Sequence, residues 1–209
     1  MANLTDAILL FAHGAGAGMD SEFIVRLSVL LNDKGLEVKT FEFPYMQKIR
    51  AEGKRRPPDR MPKLLIAYEQ AILSITSDKQ IFIGGKSMGG RVASLLAAEK
   101  GSELADQHKL INGVICLGFP FHPPKKPDKY RGDHLTDIDI DTLIVQGERD
   151  TFGTQIEVTK FDFSERVLLE FLADGDHSFK PRVRSGVTLE QNLTRCANLI
   201  VEFIEERLD

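Results

Sequence analysis

The sequence predicts an α/β fold: a three-layer α/β/α sandwich around about six parallel strands. Two observations carry this. Short apolar runs alternate with helical patterns along the whole chain. Most of those runs are continuous instead of alternating, as strands covered on both faces are. The 209 residues are read as one domain, 1–209, with 42% hydrophobic and 28% charged residues.

Six strands are predicted: Ala7–Ala12, Val38–Phe43, Gln80–Gly84, Gly113–Leu117, Thr142–Gln146 and Val167–Leu172. Helices fall between them. One runs from about Asp20 to Asp33, with Gly35 just past its end. A second starts near Pro62, a residue suited to a first helical position. A third follows Ser87. The last begins at Thr188, where Gln191 three residues on completes a capping-box pattern. Residues 44–60 and 118–141 carry the least regular pattern.

The stretch Gly84-Gly85-Lys86-Ser87-Met88-Gly89-Gly90 has two readings. A phosphate-binding loop needs Gly-x-x-x-x-Gly-Lys-Ser. Its first glycine would stand at position 80, which is Gln80, and the intervening Ile81, Phe82 and Ile83 are strand residues. A strand that runs into the motif leaves no loop to wrap a phosphate. The second reading, Gly-x-Ser-x-Gly, is a sharp strand-to-helix turn that presents a nucleophilic serine. It has the required strand before it, small residues at both flanks and an Ala/Leu-rich helix after it. Lys86 is then the variable residue of the turn, and its direction stays open.

A serine needs a base, and the base needs an acid. In the chain order Ser, acid, His, the acid follows a later strand. Thr142–Gln146 leads to Gly147-Glu148-Arg149-Asp150, which makes Asp150 the expected acid and Glu148 the alternative. Val167–Leu172 leads to Asp176-His177-Ser178, which makes His177 the expected base. His13 is expected to order the glycine-rich turn it precedes. His108 lies in a polar connection, and His122 and His134 suit either rim or structural roles. The oxyanion donors are expected from the backbone N–H of Met88 and from Ala15, with Gly16 as alternative, in His13-Gly14-Ala15-Gly16-Ala17-Gly18. That turn departs from the dinucleotide fingerprint, because its third glycine comes one residue early.

In this order, HGAGAGMD (13–20), FPYMQ and GKRRPPD (43–59), GGKSMGGR (84–91), GFPFHPP (118–124), QGERDTFG (146–153) and GDHSF (175–179) resemble the α/β-hydrolase superfamily from first strand to last helix. More narrowly the set is similar to the small dienelactone-hydrolase-like family of the testis-expressed-thirty proteins and the NSL-complex subunit three hydrolase-like domain. The resemblance implies a minimal fold with strand order 2-1-3-4-5-6, lacking the usual first two antiparallel strands. It implies Ser87, Asp150 and His177 as a triad, and no metal or cofactor.

The expected function is cleavage of an ester or thioester by a serine hydrolase. The alternative is a catalytically idle binding or scaffold protein on the same fold. Loops leaving the strand carboxyl ends carry net positive charge, and the opposite connections net negative charge. The mouth is therefore expected to favour anionic substrates, with Lys48, Arg50, Lys54, Arg55, Arg56, Lys125 and Lys126 as the basic rim. Gly16, Arg55, Arg56 and His122 are the expected substrate contacts. Residues 118–141 are too few for a helical cap, so the site is expected to be open.

A net charge of −4 does not point to nucleic acid. No apolar run reaches the roughly 20 residues of a membrane span. The first apolar run has no basic residue ahead of it and reads as a strand, not a leader. Cys116 and Cys196 lie in apolar surroundings and are expected to be free thiols. These features point to a cytoplasmic location.

Overall fold

The computed structural model describes residues 3–99 and 111–208, so His108 lies outside the described residues. Six strands form one parallel sheet in the order β2-β1-β3-β4-β5-β6. They are β1 (Ala7–Ala12), β2 (Glu37–Phe41), β3 (Gln80–Lys86), β4 (Ile111–Leu117), β5 (Thr142–Gly147) and β6 (Val167–Leu172). The helices are α1 (Glu22–Asp33), α2 (Pro44–Glu52), α3 (Met61–Leu73), α4 (Met88–Ala98), the single turn α5 (Gln155–Val158), and α6 (Leu189–Glu205).

Strand alternation sorts the core into two layers. Leu9, Phe11 and Phe82 face α1 and α6, against Leu27, Leu31, Ile200 and Phe203. Leu10, Ile81 and Ile83 face the opposite layer, against Tyr68 of α3 and Val92 and Leu96 of α4. Both faces are covered, which is why the strands read as continuous apolar runs.

Several regions differ from expectation: β2 spans Glu37–Phe41 instead of the predicted Val38–Phe43, and β4 begins at Ile111, two residues before the predicted Gly113. Residues 44–52 are helical, not irregular. Pro44 occupies the first helical turn, Tyr45 and Met46 are buried, and Gly53 closes the helix with φ 65°. Four polar or charged residues in its last six positions (Gln47, Lys48, Arg50, Glu52) obscure the helical period. β3 runs two residues past Gly84, because Gly85 and Lys86 still pair with Ala12, Cys116 and Leu117 on the flanking strands.

Residues 118–141 form no helical cap. Phe119, Phe121, Leu135 and Ile138 fold down into the core, with a single 3-10 turn at Asp133–Thr136.

The buried Tyr68 hydroxyl ties α3 to the two central strands. It accepts from the Gly84 N–H at 2.9 Å, and its one hydrogen faces the carbonyls of Leu10 at 2.8 Å and Gly84 at 2.6 Å. Tyr68→Phe should leave these groups unpaired and cost about 1–3 kcal/mol. Urea unfolding should show a lower midpoint with an unchanged slope. An unchanged midpoint would mean the hydroxyl contributes nothing net.

Candidate active site

Ser87 sits between β3 and α4 with φ 52° and ψ −114°, a conformation that costs a non-glycine residue about 1–3 kcal/mol. The turn is held by the Ser87 N–H, which donates to the Leu117 carbonyl at 2.8 Å. Two glycines make room for it. A Cβ on Gly85 would lie 2.6 Å from the Gly89 backbone, and one on Gly89 would lie 2.6 Å from the Ala12 carbonyl oxygen. The turn therefore packs backbone to backbone against the end of β1.

The loops after β5 and β6 bring Asp150 and His177 to the same edge. His177 Nδ1 lies 2.8 Å from Asp150 Oδ2, and Nε2 lies 2.9 Å from Ser87 Oγ. The carboxylate accepts only, so the ring proton sits on Nδ1 and the Nε2 lone pair faces the serine hydroxyl. Asp150 is fully buried. It also accepts from Gln146 Nε2 at 3.0 Å and from the Phe152 N–H at 2.9 Å. The Phe152 ring lies against the imidazole, with centroids 4.3 Å apart. Glu148, the alternative acid, instead accepts from the Asp174 N–H at 2.6 Å and braces the His177 loop.

The glycine-rich loop after β1 is pinned through its carbonyls. Buried His13 donates from Nδ1 to the Gly14 carbonyl at 2.7 Å and accepts the Phe43 N–H at Nε2, at 3.1 Å. Burial pushes the His13 pKa down, which keeps the ring neutral and able to hold both bonds. The Tyr45 hydroxyl faces the Gly14 and Ala15 carbonyls at 3.2 and 3.1 Å. In a trans peptide the N–H points opposite the carbonyl. Fixing the Gly14 and Ala15 carbonyls outward therefore aims the Ala15 and Gly16 N–H groups the other way. The N–H groups of Ala15 and Met88 donate to no acceptor among the described residues. Gly14 is close enough that a Cβ there would sit 3.7 Å from Ser87 Cβ.

Sequence reasoning did not find Tyr45, Gln146 or Phe152. The FPYMQ and QGERDTFG segments carried them, but only as family motifs.

Ser87, His177, Ala15, Gly16, Phe23, Ile24, Lys86 and Phe152 border a cavity of about 390 Å³. A second cavity of about 430 Å³ shares Ala15, Gly16 and Ala17 and is bordered beyond them by Met46, Ile49, Arg55 and Arg56. The expected contacts Gly16, Arg55 and Arg56 thus adjoin the site. His122 does not: its ring is buried, with Nδ1 3.0 Å from the Pro123 carbonyl and Nε2 3.7 Å from Glu157. It braces the 118–124 segment, a role set by packing that composition does not reveal. The expected basic rim is also partly neutralised. Arg50 is paired with Asp20 and Glu42, and Arg56 with Glu52. Lys125 and Lys126 are exposed and border neither cavity.

A second serine–histidine contact has a different character. Ser94 Oγ lies 2.9 Å from His134 Nε2, but Ser94 is fully buried within α4 and borders neither cavity. No carboxylate hydrogen-bonds the other ring nitrogen among the described residues. Its role is to fasten the 3-10 turn at Asp133–Thr136 onto α4.

The chain belongs to the α/β-hydrolase family: a family model described as "Alpha/beta hydrolase domain" matches residues 5–205. Solved structures share the fold at low identity. Est1E from Butyrivibrio proteoclasticus is 15% identical, with TM-score 0.64, over 95% of this chain and 88% of that one. A dienelactone hydrolase from Anabaena variabilis is 18% identical, with TM-score 0.65, over 97% and 87%. A Xanthomonas campestris protein described as an α/β serine hydrolase without lid is 14% identical, with TM-score 0.65, over 97% and 83%.

Burial, reinforced by nearby Arg91, lowers the His134 pKa from 6.5 to about 4. The native ring stays neutral where the unfolded ring takes up a proton. Its contribution to stability is therefore complete above pH 6.5 and is lost as pH falls from 6.5 towards 4. Urea midpoints measured across that window should decline less steeply in His134→Asn than in wild type. Parallel declines would assign the loss to other groups.

Proposed function

We propose that this protein is a serine hydrolase that cleaves an ester or thioester through an acyl-enzyme. One observation carries the reading: the continuous chain of hydrogen bonds from buried Asp150 through His177 to Ser87 at a strained turn. Ser87 Oγ attacks the substrate carbonyl while His177 Nε2 takes the hydroxyl proton. Asp150 holds the ring and stabilises the imidazolium that forms. The Met88 and Ala15 N–H groups bind the developing oxyanion. His177 then returns the proton to the leaving group, and water enters by the same route to release the acid. None of these steps calls for a metal or cofactor.

Within the family, the resemblance of the ordered motif set supports a relationship to the dienelactone-hydrolase-like proteins of the testis-expressed-thirty group. Arg55 beside the oxyanion loop, with Arg56 next to it already paired to Glu52, favours a substrate with a carboxylate or phosphate near the scissile bond. The lack of a helical cap in 118–141 suits soluble or bulky substrates. Two buried free thiols suit a reducing, cytoplasmic setting.

A fluorophosphonate probe should label wild-type protein, and Ser87→Ala should abolish the label. Asp150→Asn should lower turnover of p-nitrophenyl acetate by about 10³–10⁴-fold, by favouring the wrong ring tautomer. Folded wild-type protein that takes no label would overturn the hydrolase and favour a binding module on the same fold. The anionic preference has its own check. Anionic esters should exceed neutral ones of equal size in kcat/KM at low salt, with the gap closing at high salt.

A further inference from the structure

Lys86 is the most anomalous residue near the site. Strand alternation from Phe82 through Gly84 turns its side chain to the α1/α6 face of the sheet, under the loops that carry the catalytic groups. It is 8% exposed, and its Nζ donates to no acceptor among the described residues. A buried ammonium without hydrogen bonds is costly, and cores rarely keep one for stability.

Its surroundings are specific. Nζ lies 5.4 Å from the Phe23 ring centroid and 5.7 Å from that of Phe179, on α1 and the loop after β6. The ionisable groups that face it are Asp150 after β5, Asp176 and His177 after β6, and the Cys196 thiol of α6. Burial pushes that thiol up, so it stays neutral. The end of β4 contributes only Gly118, with φ 60°. A Cβ there would lie 2.6 Å from Lys86 Nζ, 3.1 Å from the His177 carbonyl oxygen and 3.4 Å from His177 Nδ1. Lys86 Nζ and His177 Nδ1 are therefore at most about 6 Å apart. Asp176 in turn shapes the His177 loop, because its Oδ1 accepts the N–H groups of Ser178 at 2.8 Å and Lys180 at 3.0 Å.

Resting on the hydrolase reading above, we propose that Lys86 is a positioning residue. Its buried ammonium attracts the Asp150 and Asp176 carboxylates and so holds the two loops that align His177 on Ser87. Its Nζ is buried, although the residue borders the cavity at Ser87. Its effect passes through the carboxylates, and it disappears when the ammonium loses its proton. Burial brings that event down to about pH 8, against the partial opposition of Asp150 and Asp176.

The test is Lys86→Met, which keeps the length and removes the charge. Turnover of p-nitrophenyl acetate should lose roughly ten- to hundredfold in kcat with KM within about twofold, as expected for a misaligned base. Wild-type kcat should fall as pH passes about 8, and the variant should lack that limb. Lys86→Arg should restore part of kcat. A folded variant with wild-type kcat, or with the same alkaline limb, overturns the proposal.

A second measurement needs neither turnover nor the variant. The low-field NMR signal of the His177 Nδ1 proton in wild type should shift between about pH 7 and 9 as Lys86 titrates. A signal that stays still overturns the coupling. Fluorophosphonate labelling of wild type separately decides whether the hydrolase reading stands.

Discussion

Everything at the site depends on how closely the turn at Ser87 approaches the end of β1. The backbones of Gly85, Gly89 and Ala12 meet at distances that leave no space for a Cβ. That contact lets the chain reverse from β3 into α4 within one residue and holds Ser87 in its strained conformation. The strain persists because the surroundings over-determine it. β3 pairs on both sides as far as its last residues, and the apolar face of α4, packed against α3, anchors the chain beyond the turn.

Around this fixed point, neutral or paired polar groups aim each loop. His13 and Tyr45 hold the carbonyls of the β1 loop, which leaves its N–H groups turned the other way. Gln146 and the Phe152 N–H hold Asp150, and Glu148 holds the backbone of the β6 loop. Each brace is buried or half-buried, where a hydrogen bond is worth more and an unmade one costs more. The loops are thereby as well placed as the strands they leave.

Much of this is legible in the chain. Ala7–Ala12 and Val167–Leu172 are bounded to the residue, because both end at a change from continuous apolar residues to glycine, polar or small residues. Ser87, Asp150 and His177 are each marked by a strand that ends just before them, and the structure brings the three together. The helix at Pro44–Glu52 is hidden by its polar second half, although Pro44 and Gly53 bracket it with the usual start and stop signals. His122 is not the substrate contact its position suggests, since its burial is set by packing of the 118–124 segment that the residue type does not reveal. The basic rim overstates its charge, because Arg50 and Arg56 find partners that only folding supplies.

The sequence by itself determined the layer order and the chemistry available, because periodicity and glycine spacing are local properties of the backbone. Only the tertiary structure decided what each polar residue faces. Lys86 makes the difference plain. In the chain it is the variable residue of a glycine-rich turn. In the fold, pairing that carries β3 through Lys86 turns the side chain into the core, between two rings and within the field of Asp150 and Asp176. Direction, burial and partner come from strands far apart in sequence, and no local pattern encodes them.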